Sequence, residues 1–116
     1  MIAQAFNDFC ASLPSATHVV QWRGADVWKV GGKVFAITQG REGEDLAVSF
    51  KVTPIGYEIL SDSEGYRPAP YLASRGMKWI QARNIDGDEL RDHVRGSYDL
   101  IACALPKKTQ KSLGLI

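Results

Sequence analysis

The segment GYRPAPYLASRGMKW, residues 65–79, holds two prolines, the aromatics Tyr66, Tyr71 and Trp79, and the cations Arg67, Arg75 and Lys78. Guanidinium and ammonium groups beside aromatic rings are the chemistry of phosphate neutralisation and base stacking. Pro68 and Pro70 push Arg67 and Ala69 away from helical angles, so residues 67–70 are expected to be extended and stiff. Neither proline can donate to a sheet ladder. A run this long without helical or strand period, from about Ser63 to Gly76, is of the kind that carries function. The structural alternative is a braced crossover in which Tyr66, Tyr71 and Leu72 plug the edge of the core. That role suits the tyrosines and leaves Arg67, Arg75 and Lys78 unexplained.

Other chemistry is sparse. Gly31-Gly32-Lys33 lacks the full phosphate-loop spacing and the Ser or Thr after the lysine, and it falls between strands. His18 and His93 have no second ligand at metal spacing, so no metal or cofactor is expected. No Ser or Cys sits in a nucleophile-elbow motif. The acids Glu42, Glu44, Asp45, Asp86 and Asp88 fall at turns and helix starts, where carboxylates serve as caps. Nothing here makes a positive case for an enzyme.

The elements that must position these groups follow from periodicity. Ile2, Ala5, Phe6, Phe9 and Leu13 recur at helical spacing, and Pro14 closes that helix. HVVQW, DVWKV, KVFAITQ and DLAVSFKV are short runs rich in β-branched and aromatic residues, read as strands. Gly31-Gly32 suits a primed hairpin turn, and GREGE, residues 40–44, separates the third strand from the fourth. Val48, Phe50 and Val52 alternate with Ser49 and Lys51, the pattern of a sheet covered by helices on one side. Pro54 opens a second helix with Ile55, Ile59 and Leu60 as its apolar side. MKWIQARN forms a fifth strand in which Met77/Trp79/Gln81 and Lys78/Ile80/Ala82 are both plausible inward sets. A third helix, capped by Asp86 or Asp88, runs to about Leu105 with Leu90, Val94, Tyr98, Ile101 and Leu105 as its buried stripe. Pro106 ends it, and a short terminal helix follows.

The 116 residues make one domain, 1–116, with a net charge of +1, 45% hydrophobic and 23% charged residues. Bulk charge gives no drive towards nucleic acid or membrane, so any basic site must be local. Cys10 and Cys103 are expected to be buried free thiols in a reducing cytoplasm. The N-terminus lacks a basic region and is interrupted by Asp8, unlike a signal peptide. No stretch approaches the ~20 apolar residues of a membrane helix.

KVGGKVFA at 29–36, RPAPYL at 67–72 followed by Lys78-Trp79, and SYDLIACALPKK at 97–108 occur in an order that resembles the MmcQ/YjbR family of small bacterial proteins. Cys10, Leu13 and Pro14 fit a C-x-x-L-P element of the same pattern. The resemblance implies a two-layer α+β fold similar to the bacterial frataxin-like (CyaY-like) proteins: an antiparallel sheet of about five strands with helices packed on one face. It also implies a double-wing DNA-binding arrangement and supplies no catalytic residues.

Two functional readings follow. In the first, the hairpins act as wings of a nucleic-acid-binding module. Lys29, Lys33, Lys51, Arg67, Arg75, Lys78 and Arg83, with Lys107, Lys108 and Lys111, meet phosphates, and Trp22, Trp28, Tyr71 and Trp79 add stacking. Each lysine is otherwise an ordinary solvated charge and each tryptophan a core residue, so the reading requires them to converge. In the second, the open sheet face and the Pro-rich loop 65–76 bind a peptide or small ligand. A cytoplasmic monomer is the starting expectation.

Overall fold

A computed structural model describes residues 3–21, 24–39, 46–70 and 72–116. Trp22, Tyr71, the 40–44 turn and the acids Glu42, Glu44 and Asp45 lie outside these residues. In chain order the elements are α1 (Ala3–Ser12), β1 (Ala16–Gln21), β2 (Ala25–Val30), β3 (Lys33–Gln39), β4 (Ala47–Lys51), α2 (Pro54–Ser61), β5 (Tyr66–Pro68), a 3₁₀ turn (Ala73–Arg75), β6 (Trp79–Ala82), α3 (Gly87–Cys103) and α4 (Lys107–Ser112). The strands form one sheet in the order β1-β2-β3-β4-β6-β5, and every pairing is antiparallel.

The sheet has six strands, one more than the residues suggested. The additional strand is β5, cut from the proline-rich segment. Its residues are extended, as Pro68 and Pro70 require, and it pairs with β6 from Tyr66↔Ala82 to Pro68↔Ile80. Pro68 is tolerated because β5 is an edge strand. The ladder is prolonged by Ala69, whose N–H donates to the Trp79 carbonyl at 3.0 Å.

Local chemistry sets the boundaries. Gly31 and Gly32 both take positive φ, 58° and 80°, the pair of values a type I′ turn demands between β2 and β3. Thr53 caps α2 by accepting from the Gly56 N–H at 3.0 Å, with Pro54 in the first turn. Asp86 caps α3, accepting from the N–H groups of Asp88 and Glu89.

Register assigns the two faces. Directly opposed residues point the same way, so Trp28, Ala36, Phe50 and Ile80 share one face, with Thr38, Val48, Ala82 and Tyr66 beside them. That face meets α1, α2 and α3, and α4 is tied by Gln110 to the carbonyls of Cys103 and Leu105 at the end of α3. Phe6, Cys10 and Leu13 of the N-terminal region and Leu90, Val94, Tyr98, Ala102 and Leu105 of the C-terminal region complete the core. Val48 and Phe50 are fully buried there, while Phe9, Val52 and Ile101 pack at its margin. Phe35 and Tyr98 meet edge to face, with ring centroids 5.3 Å apart.

A β-bulge breaks the β2–β3 ladder: Trp28 opposes Ala36, but Lys29 opposes Val34, leaving Phe35 as an extra residue. Phe35 and Ala36 are consecutive and both completely buried in the helix-side core, which unbroken alternation forbids.

Two expectations are corrected. Ile55 and Ile59 of α2 face solvent, at 71% and 62% exposure, while Tyr57 and Leu60 turn to the core. The helix is short and apolar on both sides, and Tyr57 wins because it also lies under the Lys78 ammonium, 4.6 Å from the ring centroid. Of the two thiols, Cys10 is buried and Cys103 is exposed, one residue beyond the stripe that faces the sheet.

Candidate functional site: the helix-free face of the sheet

The same register defines the opposite face. One row crosses all six strands: Val19, Val27, Ile37, Ser49, Gln81 and Arg67. A second row, nearer the β2–β3 turn, includes Thr17, Lys29 and Val34 on one side and Lys51 and Trp79 on the other. None of these residues belongs to the core that the helices share with the sheet. The face still has a buried floor, because Val27, Ala47, Ser49, Trp79 and Gln81 are all buried. It meets solvent through half-buried Lys29, Lys51 and Ile37 and exposed Arg67.

The register settles the direction of Trp79. It pairs with Lys51 and shares the helix-free side, while Ile80 enters the helix-side core. Its ring is only 4% exposed, and Trp28 is 6% exposed on the other face. Both indoles therefore serve as packing. Trp28 donates its indole N–H to Asn7 at 2.9 Å.

Two hydrogen-bonded devices position the cations. Arg67 donates from Nε to the Gln81 Oε1 at 2.8 Å across the β5–β6 pair. A buried glutamine thus fixes the plane of an exposed guanidinium. Lys51 is held through its backbone: its N–H donates to Ser97 Oγ at 2.9 Å, and the same hydroxyl donates to the Phe35 carbonyl at 2.7 Å. Ser97 is a fully buried α3 residue. Its hydroxyl spans the place where the bulge has displaced the β3–β4 ladder, satisfying both groups.

Charge is sorted between the layers. Among the described strand residues the charged side chains are Asp26, Lys29, Lys33, Lys51 and Arg67, and Asp26 belongs to the helix side with Trp28. The helix-free face therefore carries Lys29, Lys51 and Arg67 and no described acid. Lys33, expected to join them, is opposite Val30 of the helix-side core and so takes the other face, exposed beside the β2–β3 turn. Every described acid other than Asp26 lies on a helix or the turn flanking one. Among the described residues the ion pairs engage His18, Arg91, His93 and Arg95, and none of the three cations of this face is in one.

The remaining cations of the sequence reading do not converge on this face. Lys78 points to the helix side, over Tyr57. Lys107, Lys108 and Lys111 sit on α4, with the helical layer. Arg75 is exposed in the 3₁₀ turn. Arg83 is exposed just beyond β6.

Two titratable clusters flank the helix side, and neither was legible from spacing. Asp26 receives Asn7 Nδ2 at 3.4 Å and Thr38 Oγ1 at 3.3 Å, and lies 2.7 Å from His18 Nε2. His18 also packs on the Trp28 ring. Burial, with a smaller contribution from Asp26, pushes the Cys10 thiol far up, so it is an inert core group. At the other end Tyr66 donates to Glu89, and its oxygen accepts from His93 Nε2 at 3.0 Å. His93 stacks on Phe50. Burial lowers its pKa against the opposing pull of Glu89 and Asp92. Burial, then Glu89, raises that of Tyr66. Among the described residues no group of His, Cys, Asp and Glu is arranged to hold a metal ion, and no helix is long and apolar enough to cross a membrane.

The molecule is thus an α+β protein with one helix-packed sheet face and one cationic sheet face. The chain belongs to the YjbR family, whose model matches residues 11–100. Its structure is similar to that of Deinococcus radiodurans protein DR2400, described with the domain DUF419. That match has a TM-score of 0.82 and 24% identity over 96% of this chain and 86% of the other. A protein from Pseudomonas syringae aligns with a TM-score of 0.70 and 18% identity, over 87% of this chain and 99% of that one. At these identities the likeness shows the fold. No curated protein matches the chain.

Proposed function

We propose that the helix-free face is a nucleic-acid-binding surface that engages the phosphate backbone through Lys29, Lys51 and Arg67. The observation that carries this reading is the separation of charge: these cations share a face with no described acid, while the described acids other than Asp26 accompany the helices. Such a surface attracts a polyanion although the net charge is only +1. Arg67, held by Gln81, presents an oriented guanidinium, the group suited to phosphate oxygens. With Trp28 and Trp79 packed, neither supplies stacking, and the reading rests on the charged groups.

A titration of mixed duplex and single-stranded oligonucleotides against salt tests this. Three phosphate contacts give a log–log slope near −2.7 on duplex, at ~0.9 per contact, with a non-specific Kd on the order of 10⁻⁴ to 10⁻⁶ M. Arg67→Ala and Lys51→Ala each flatten the slope by about one contact. Absence of binding at ~50 mM salt and high micromolar protein sinks the reading. The face then passes to an anionic peptide or small ligand.

A further inference from the structure

The two edges of the sheet are built differently. The β5 edge is guarded in three ways: it has three residues, it carries Arg67, and Pro68 offers no N–H. The β1 edge has six residues, ATHVVQ, with no proline, lysine or bulge. Four of the six are exposed, and Val20 is 59% exposed. The titratable side chain in β1, His18, is already turned onto Asp26 and Trp28. A row of backbone donors and acceptors this long and uncharged is complementary to one kind of partner, another extended strand.

We propose that β1 pairs antiparallel with β1 of a second copy of this chain, with Val19 of one copy opposite Val19 of the other. A two-fold axis through Val19 sets Thr17 against Gln21 and His18 against Val20. Opposed residues share a face, so this register keeps both helical layers on one side. A shift of one residue puts them on opposite sides, and centring on His18 sets the two His18–Asp26 pairs against each other. The chosen register sets a polar pair, an apolar pair and His18, already engaged by Asp26, against Val20, so no like charges oppose one another across the edge. The result is one continuous sheet with the Lys29, Lys51 and Arg67 groups of both copies on the same face. The dimer does not depend on what that face binds. One short strand pair is a small interface, which makes the dimer a transient one.

Sedimentation of the whole chain at about 10 µM and about 500 µM reads it directly, a range suited to a small interface. The expected result is a weight-average mass that rises towards twofold with concentration. Val19→Lys and Val19→Glu each hold the protein monomeric by placing like charges across the axis, and an equimolar mixture of the two recovers the dimer. Should either substitution perturb the half-buried Val19 site, Thr17→Lys with Gln21→Lys supplies the same repulsion from exposed positions. A wild-type chain that stays monomeric throughout overturns the proposal. So does a dimer indifferent to these substitutions, or a charge-swapped mixture that remains monomeric.

Discussion

The Ser97 hydroxyl accepts the backbone N–H of Lys51 at 2.9 Å, so a residue of α3 holds a residue of the cationic face from behind the sheet. The bulge at Phe35 makes room for this bond and supplies its second partner, the Phe35 carbonyl at 2.7 Å. Ser97→Ala leaves a buried donor and a buried acceptor without their partner. The expected loss is about 1–3 kcal/mol per unsatisfied group at most, read as a lower midpoint in urea with an unchanged slope. A midpoint equal to wild type contradicts the role given to this hydroxyl.

His93 gives stability a pH dependence. Its folded pKa is lowered, chiefly by burial, so the unfolded chain binds the proton more readily. Stability is then full above the unfolded value of about 6.5 and falls as pH drops towards the folded value. The charges facing His93 are Glu89 and Asp92 on its own helix, and Tyr66 approaches it from β5. His93→Gln keeps a donor for the Tyr66 oxygen and cannot titrate. Denaturation at about pH 7.5 and about pH 5.5, one unit either side of the unfolded imidazole value, is expected to show a smaller loss in the variant than in wild type.

Solvent-facing Ile55 and Ile59 predict tolerance where helical apolar spacing suggests core. Ile55→Ser and Ile59→Ser are each expected to change stability by no more than ~0.5 kcal/mol beyond their modest cost in helix propensity. Phe35→Ala, by contrast, empties a fully buried site and is expected to cost about 3–5 kcal/mol. Comparable losses at Ile59 and Phe35 run against the assigned face of α2.

Lys107 and Lys108 lie with the helical layer, away from the face that holds Lys51 and Arg67. Replacing both by Ala is therefore expected to leave the salt slope of oligonucleotide binding within about 0.3 of wild type, against the ~0.9 expected for each direct phosphate contact. A fall of nearly two contacts extends the interface round to α4.

Much of this architecture is readable from residue type and spacing. The Gly31-Gly32 turn follows from the need for positive φ at both central positions of a tight hairpin. The start of α2 follows from Pro54 in its first turn, the start of α3 from Asp86 or Asp88 as a cap, and α3 itself from the spacing of Leu90, Val94 and Tyr98. These are local requirements, met within a few residues of chain. The ordered motifs around Lys29, Arg67 and Ser97 likewise identify the family without coordinates.

Tertiary structure decided what local pattern leaves degenerate. The alternation from Met77 to Ala82 permits two inward sets, and pairing of β6 with β4 chose Ile80 for the core and Trp79 for the other face. β5 is too short and too rich in proline to read as a strand, and exists because β6 offers it an edge. Both sides of α2 are apolar, and only contact with the sheet distinguished Tyr57 and Leu60 from Ile55 and Ile59. The grouping of Lys29, Lys51 and Arg67, and the exclusion of Lys78 from it, depends on register across strands far apart in sequence. A one-residue change in register exchanges the faces of a strand, so the composition of the cationic surface is a property of the assembled sheet.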